Sequence, residues 1–270
     1  MNGPLGCNPR YTARAIKATG LVEETKALLR VWTPGESTAD LRRRVREQAL
    51  LGKATASRSD DVVAHAFNQR FLGGEHPAAQ PLKRLLQAKG NGRWFTDLCL
   101  LYAARADVVL REAISVYAAD RRATGRDYVE TPSLVRFLED QEAAGRMARP
   151  WTAGVKTSVA QHVLRQLTEF GLAGPNRRGV RELLPFTPTG LAVAWLAYDL
   201  HFTGHSDSRL LSHPDWQTWT LDEARTRERI AQLAGPALWE IQAAGSVTQI
   251  TWGCPSMEEA LDVLARIELP

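Results

Sequence analysis

The stretch "RPWTAGVKTSVAQHVLRQLTEFGLAG", from Arg149 to Gly174, decides how this chain is interpreted. Apolar residues recur along it at the spacing of one buried helix face. These residues are Val155, Val159, Val163, Leu167 and Phe170. The opposite side carries Thr157, Gln161, Arg165 and Thr168, with Ser158 on one flank and Lys156 nearer the buried edge. The pattern predicts a packed helix whose outer face lacks the mixture of Glu and Lys that is typical of a solvated surface.

The outer face of this helix carries side chains that suit the major groove of DNA. Arginine can pair with guanine, glutamine with adenine, and hydroxyl groups or lysine can hold phosphates. The amino-terminal half of a recognition helix usually enters the groove, which favours contacts from Lys156, Thr157, Ser158 and Gln161. A solvated amphipathic helix is the alternative, and the helix alone does not decide between the two. Gln166 falls on the apolar side, where it would need a buried hydrogen bond.

The segments around this helix predict a winged helix-turn-helix. Thr131-Pro132 begins a helix that runs to Gly145, and residues 146–151 form a short connection. After the central helix, the turn at 175–179 separates Leu172-Ala173 from residues 180–184, which reads as a small β-hairpin with an arginine tip. Arg177, Arg178 and Arg181 would then grip phosphate or lie in the minor groove. A charged, solvent-exposed turn is the alternative.

Positive charge is concentrated in the same part of the chain. The formal net charge is +4, which alone indicates no acidic partner. Between Arg146 and Arg181, however, seven basic residues face one acidic residue, Glu169. The candidate DNA contacts are Arg149, Lys156, Thr157, Ser158, Gln161, Arg165, Arg177, Arg178 and Arg181. A second basic cluster, Arg42 to Arg44 with Arg46, lies beside Asp40 and Glu47, which favours a solvated surface.

The rest of the chain predicts a mainly α-helical protein. It has 270 residues, of which 44% are hydrophobic, enough for a substantial core. We divide it into a disordered start at 1–10, a helical bundle at 11–125, the winged helix-turn-helix at 126–200, and a carboxy-terminal helical segment with a short strand at 201–270. Helical spacing predicts the bundle helices at 22–31, 37–51, 60–71, 81–88, 93–104 and 106–119.

Composition argues against a membrane-bound or secreted protein. No run reaches the roughly 18 to 20 apolar residues that a membrane span requires. The start lacks the apolar core of a signal peptide. The three cysteines are far apart and unpaired in spacing. We therefore expect a cytoplasmic protein.

The stretch "HFTGHSDSRLLSHPDW" is the most enzyme-like part of the sequence. His201 and His205 could share a helix face and bind zinc together with Asp207, His213 or Asp215. Gly204 and Pro214 interrupt that helix, however, so a structural loop anchored by Trp216 and Trp219 is favoured. No known catalytic or nucleotide-binding fingerprint is present. We expect no catalytic residue, no cofactor and no metal.

Several stretches resemble the BrxA family of bacterial BREX phage-defence systems. They are "FTDLCLLYAARADVVLREAI" from Phe95, "WTAGVKTSVAQHVLRQLTEFGLAG" from Trp151, "LLSHPDWQTWTLDEARTRERIAQLAG" from Leu210 and "GSVTQITWGCPSMEEALDVLA" from Gly245. The resemblance covers most of the chain from Tyr11. It implies a winged-helix portion combined with a NusB-like helical bundle, binding to double-stranded DNA, and no known catalysis.

Three functions therefore stay open, of which a metal-dependent hydrolase using His201, His205, Asp207 and His213 is the least favoured. The first is a DNA-binding accessory protein of a defence system. The second is a protein scaffold for other defence proteins, with an incidental basic surface. The second is favoured by the tryptophans near the carboxy terminus, Trp216, Trp219, Trp239 and Trp252, which exceed what a small core needs.

Overall fold

The structure is a computed structural model that describes residues 10–17, 19–52, 55–73, 77–147, 149–244 and 247–269. The predicted disordered start thus lies outside the described residues, apart from Arg10. The chain forms two compact units. The first contains the chain up to residue 80 together with 99–186, and the second contains 81–98 together with 187–270. This interleaved division differs from the three consecutive segments drawn from the sequence at residues 125 and 200.

The chain is mainly helical with two small antiparallel strand pairs, which confirms the predicted fold class. Up to residue 182 the elements are α1 (Val22–Val31), α2 (Thr38–Glu47), α3 (Ala56–Asp61), α4 (Ala79–Lys89), α5 (Arg93–Ala106), α6 (Val108–Glu112), α7 (Ala119–Ala123), β1 (Tyr128–Glu130), α8 (Thr131–Ala143), α9 (Ala153–Glu169) and β2 (Val180–Glu182). A 3-10 helix lies at Ala13–Ile16, and π-helical segments lie at Val62–Leu72 and Ala113–Ala118.

The later elements are α10 (Gly190–Phe202), α11 (Asp207–Leu211), a 3-10 helix at Pro214–Trp219, α12 (Glu223–Gln232), β3 (Trp239–Ala244), β4 (Val247–Trp252) and α13 (Met257–Arg266). The helix predicted at 106–119 is present as a continuous helical run from Val108 to Ala123, which begins two residues later and ends four residues later than predicted. Asp107 accepts a hydrogen bond from the backbone N–H of Val109 at 2.9 Å and starts a new helix, α6. The π-helical segment and α7 continue from it.

Aromatic residues from separate helices form the core of the first unit. Trp32 meets Phe67 edge-on at 6.4 Å between ring centroids, Phe67 lies 5.8 Å from Phe71, and Phe71 lies 5.6 Å from Tyr102. Leu28, one helical turn before Trp32, is also completely buried. These residues keep the helical spacing that the sequence analysis used, so this part of the bundle was predictable.

A buried polar cluster ties the residues before α1 to the end of α9. The Arg70 guanidinium donates to the carbonyl oxygens of Thr19 and Gly20 at 2.9 and 3.0 Å. Burial lowers the pKa of Arg70 to about 10, against the opposing influence of Cys99, Asp107 and Glu169. The Gly20 N–H donates to Glu169 Oε2 at 2.7 Å, and a Cβ at position 20 would lie 2.6 Å from that oxygen. Only glycine fits this approach without displacement.

The second unit is organised around α10, which is buried along almost its whole length. The carboxylate of Asp97, on α5, accepts hydrogen bonds from the backbone N–H and the hydroxyl of Thr189 at 2.9 and 3.0 Å. Burial raises the pKa of Asp97. Trp219 donates its indole N–H to the Asp97 carbonyl at 3.1 Å. Asp97 therefore fixes both the start of α10 and the Pro214–Trp219 helix.

Candidate nucleic-acid interface

Helix α9 has well-defined ends, which fix the register of its two faces. Thr152 is its N-cap, and its Oγ1 accepts from the Val155 N–H at 3.3 Å. At the other end Gly171 adopts a φ of 81°. The N–H groups of Gly171 and Leu172 return to the carbonyls of Thr168 and Leu167, which is the Schellman arrangement. Side chains on either face are therefore held at fixed positions along the helix.

The predicted apolar stripe of α9 faces the core. Val159, Val163, Leu167 and Phe170 are fully buried, while Val155 is half-buried. Helix α8 and the Ala13–Ile16 turn pack against α9. Gln166 is also fully buried, and both atoms of its amide lack a hydrogen-bond partner among the described residues. The buried hydrogen bond that the sequence required of Gln166 is therefore absent from the described structure.

Lys156 holds α9 against α8 and does not face solvent. Its side chain is buried, and its Nζ lies 2.6 Å from Glu142 Oε2 and 4.0 Å from Glu139 Oε1. Glu142 also accepts the Trp151 N–H at 2.8 Å. These hydrogen bonds, with Lys156 the larger cause, hold the pKa of Glu142 below its ordinary value. The sequence analysis nominated Lys156 as a DNA contact, and the structure instead uses its charge inside the protein.

The opposite face of α9 is open within the first unit. Thr157, Gln161 and Arg165 are exposed, and Ser158 is half-exposed. The Thr157 hydroxyl donates to the Ala153 carbonyl at 2.9 Å, a local bond that an outside acceptor could replace. Arg165 is 67% exposed and forms an ion pair with Glu169 at 3.1 Å. A partner that used Arg165 would have to compete with that carboxylate.

Arg177 and Arg178 lie at the tip of a tight hairpin turn. Arg177 and Val180 exchange both backbone hydrogen bonds, at 2.8 and 3.1 Å. The two central residues, Arg178 and Gly179, have φ values of 54° and 89°. Positive φ at both positions is the signature of a type I′ turn, whose twist matches that of paired strands. Asn176 Oδ1 accepts the Gly179 N–H at 2.9 Å and closes the loop. Both arginine side chains are exposed.

The predicted hairpin pairs with an additional strand, β1, which the sequence analysis did not assign. Strand β2 pairs antiparallel with β1, with Val129 opposite Arg181. On its other side Val180 of β2 bridges Arg177, and Leu183, the residue after β2, bridges Ala173. Strand β2 is therefore the middle of three paired segments. Three residues are too short a run for alternation to reveal β1 in the sequence.

The pairing partner of Arg181 determines where its side chain lies. Val129, directly opposite, is fully buried, so Arg181 shares the inner face of this sheet and is only partly exposed. Burial lowers the pKa of Arg181. Arg181 thus departs from the exposed position that the sequence analysis gave it. Tyr128, on the other face, is 40% exposed and was not nominated.

Internal ion pairs reduce the apparent basic surplus between Arg146 and Arg181. Arg146 pairs with Glu112, and its guanidinium lies over the Tyr11 ring. Lys156 and Arg165 are paired with Glu142 and Glu169, and Arg181 is partly buried. Of the nominated cations, the exposed ones without an ion pair in the described part of the chain are Arg149, Arg177 and Arg178. Three of the four arginines in the second basic cluster are paired with carboxylates: Arg43 with Asp40, Arg44 with Glu36 and Arg46 with Asp60.

Comparison with known proteins identifies the family. The family model named BrxA matches residues 9–189, which is two thirds of the chain and includes α9 and the turn after it. The chain belongs to the BrxA family. BrxA proteins are components of BREX systems, so this protein is associated with bacterial phage defence. No curated protein matched the sequence.

A solved structure with a similar fold supports the architecture of this BrxA-family chain. It is the crystal structure of an uncharacterized protein from Magnetospirillum magneticum. The TM-score is 0.57 and the sequence identity 14%, over 72% of this chain and 95% of that one. At this identity the likeness shows a shared fold and nothing about activity.

The residues of the alternative zinc site have packing roles in the BrxA-family chain. The His201 ring stacks on Trp252 with 4.3 Å between centroids, and burial lowers its pKa. Asp207 accepts the Ile250 N–H at 2.9 Å. His213 caps the Pro214–Trp219 helix. Within the described ranges, no three His, Cys, Asp or Glu side chains converge as metal ligands.

The tryptophans that favoured a scaffold are mostly core residues. Trp216, Trp219 and Trp239 are almost completely buried, and Trp252 is half-buried against Tyr198 and His201. Their number reflects packing of the second unit, so it no longer supports a docking surface. In the described residues, no helix is both long enough and apolar enough to span a bilayer.

Proposed function

We propose that this BrxA-family protein is a non-enzymatic component of its defence system that binds double-stranded DNA. The outer face of α9 would enter the major groove, and the Arg177–Gly179 turn would lie against the backbone as a wing. The proposal rests on one observation above all. Helices α8 and α9 are followed by a turn whose returning strand, β2, lies between β1 and the outgoing segment at Ala173.

That arrangement supports a winged helix-turn-helix because it couples the wing to the reading helix. β1 runs directly into α8, and the segment after α9 returns to pair with β1 through β2. Thr157 and Gln161, on the amino-terminal half of α9, are exposed, and the Thr157 hydroxyl bonds only locally, to the Ala153 carbonyl, among the described residues. Gln161 is placed to read an adenine, and Thr157 to hold a phosphate or a base edge.

The exposed cations set the expected salt dependence. Each phosphate contact contributes a slope of about −0.9 to the log–log dependence of affinity on salt. Arg149, Arg177 and Arg178 would therefore give a slope of about −3. All seven basic residues between Arg146 and Arg181 would give about −6, so the slope distinguishes the structural assignment from the count in the sequence.

Fluorescence anisotropy of a labelled duplex, titrated at several salt concentrations, tests the proposal. We expect the double substitution Arg177→Gln with Arg178→Gln to weaken binding equally across sequences and to reduce the slope by about 2. Gln161→Ala should instead change the preference between sequences. Arg30→Gln, at an exposed position on α1, is the matched control and should leave binding unchanged. The absence of duplex binding by the wild type at low salt would refute the proposal.

A scaffold for other defence proteins is the alternative function. Its discriminating experiment is co-purification with the neighbouring defence proteins after nuclease treatment. Retention of those proteins by a variant that no longer binds DNA would support a scaffold role in addition to, or in place of, DNA binding.

A further inference from the structure

Arg121 is a buried cation whose charge nothing in the described chain neutralises. Its side chain is only 7% exposed, and it forms no ion pair with any described carboxylate. Its Nε donates to the Tyr128 carbonyl at 3.0 Å, while its second terminal nitrogen is buried without a hydrogen-bond partner. A buried guanidinium with so few acceptors is unfavourable unless an anion completes it.

The position of Arg121 relates it to the wing. Helix α7 ends in a turn in which the Arg126 N–H returns to the Arg121 carbonyl and the Tyr128 N–H returns to the Arg126 carbonyl. This turn brings Arg121 to the outer edge of β1, the edge that β2 does not occupy. Arg126 is exposed in the same turn. Two guanidinium groups and one aromatic ring thus lie within eight residues of chain.

Tyr128 covers the guanidinium and is itself at the surface. The Arg121 guanidinium carbon lies 4.5 Å from the centre of the Tyr128 ring. That ring is 40% exposed, one of the few large apolar side chains at the surface of the described structure. For an anion to reach the guanidinium, Tyr128 would have to change rotamer, which a surface side chain can do without disturbing a core. Its outer face also offers an apolar surface to a sugar.

We propose that Arg121, with Arg126 and Tyr128, forms a phosphate-binding site that takes a backbone phosphate and deoxyribose of the bound duplex. The proposal rests on the proposed DNA-binding function and adds a contact on the β1 side of the wing sheet. The guanidinium supplies paired donors for the phosphate oxygens, and the Tyr128 ring lies against the adjoining sugar. Glu182 stands directly opposite Tyr128 across the strands and opposes anion binding there, as does the exposed Asp127 nearby.

Inorganic phosphate is the probe for the site itself. Thermal unfolding of the full chain is followed as phosphate replaces chloride at constant ionic strength. We expect phosphate to raise the melting temperature of the wild type, and Arg121→Gln to abolish the rise. Arg121→Lys should retain part of it, Glu182→Gln should enlarge it, and Arg30→Gln should not change it. A rise that persists in folded Arg121→Gln, or that shrinks in Glu182→Gln, would overturn the proposal.

Duplex titration then separates this site from the proposed function. Loss of one phosphate contact should reduce the salt slope by about 0.9. The fold-decrease in duplex affinity between about 50 and 200 mM salt should therefore be about 3.5 times smaller for Arg121→Gln than for the wild type. Arg121-dependent phosphate binding by a protein that does not bind duplex would refute the proposed function and leave the phosphate site. Duplex binding with a slope unchanged by Arg121→Gln would refute this site and leave the function.

Discussion

Substituting Arg178 by asparagine should stabilise the protein while weakening its binding to DNA. Arg178 has a φ of 54°, in the left-handed region that L-residues rarely adopt. A non-glycine residue held there costs on the order of 1 kcal/mol or more. Asparagine tolerates this region, and Asn-Gly is the preferred pair for a type I′ turn. We therefore expect Arg178→Asn to raise the free energy of unfolding by about 1 kcal/mol.

The same substitution removes one of the three exposed cations assigned to DNA. The magnitude of the salt slope should fall by about 0.9. The fold-decrease in duplex affinity between about 50 and 200 mM salt should then be about 3.5 times smaller than for the wild type. Urea unfolding measures the first quantity and duplex anisotropy the second. Arg178→Gln is the matched control because it removes the charge and keeps the left-handed backbone strain. It should lose the same slope without gaining stability.

The reasoning fails if Arg178→Asn does not stabilise the protein relative to Arg178→Gln, because the strain would then be absent. It also fails if either variant keeps the wild-type salt slope, because the turn would then not contact phosphate. A gain in stability together with unchanged binding would leave the turn geometry correct and remove its assigned role.

Three further outcomes follow from the contacts around α9. Gly20→Ala should lower the free energy of unfolding by about 1–3 kcal/mol, since a Cβ there meets the Glu169 carboxylate and displaces it from the Gly20 N–H. Urea unfolding measures it, and Gly235→Ala, where a Cβ meets no atom within 4 Å, is the comparison for loss of a glycine. Gln166→Leu should raise stability by about 1 kcal/mol, because it removes a buried amide without partners; a decrease in the urea midpoint would show that the amide is satisfied. The pKa of Glu142 is lowered in the folded state, so its contribution to stability should be fully present above the unfolded pKa of 4.5 and should be lost as pH falls through the lower folded pKa. Glu142→Gln should therefore make the urea midpoint less dependent on pH in acid. An unchanged pH dependence would refute the Lys156 interaction.

Helix α9 shows what the sequence could predict. Its buried stripe follows from spacing alone, because each residue turns the helix by a fixed angle. The same spacing also places Lys156 at the edge of that stripe. Its burial did not, because the acceptor Glu142 lies on another helix and only the packing of α8 on α9 brings the two together.

The hairpin after α9 shows which features the sequence could not predict. Asn176 and Gly179 are residue types that favour tight turns, so the sequence predicts a turn at 176–179. The face occupied by Arg181 depends on which strand pairs with β2, and a register shift by one residue would reverse it. The three residues of β1 give no periodic signal, so neither the inward position of Arg181 nor the exposure of Tyr128 could be derived before the pairing was known.

The interleaving of the two units has a consequence for how this protein is made. Residues 81–98 leave the ribosome early, yet their partners in the second unit begin at residue 187. About ninety further residues must therefore be synthesised before Thr189 is present to donate its hydrogen bonds to the Asp97 carboxylate. During that interval α4 and the start of α5 expose surface that later becomes core, which is the condition that recruits chaperones. A fragment cut after residue 186 would retain this exposure permanently, so the units cannot be separated by truncating one end of the chain.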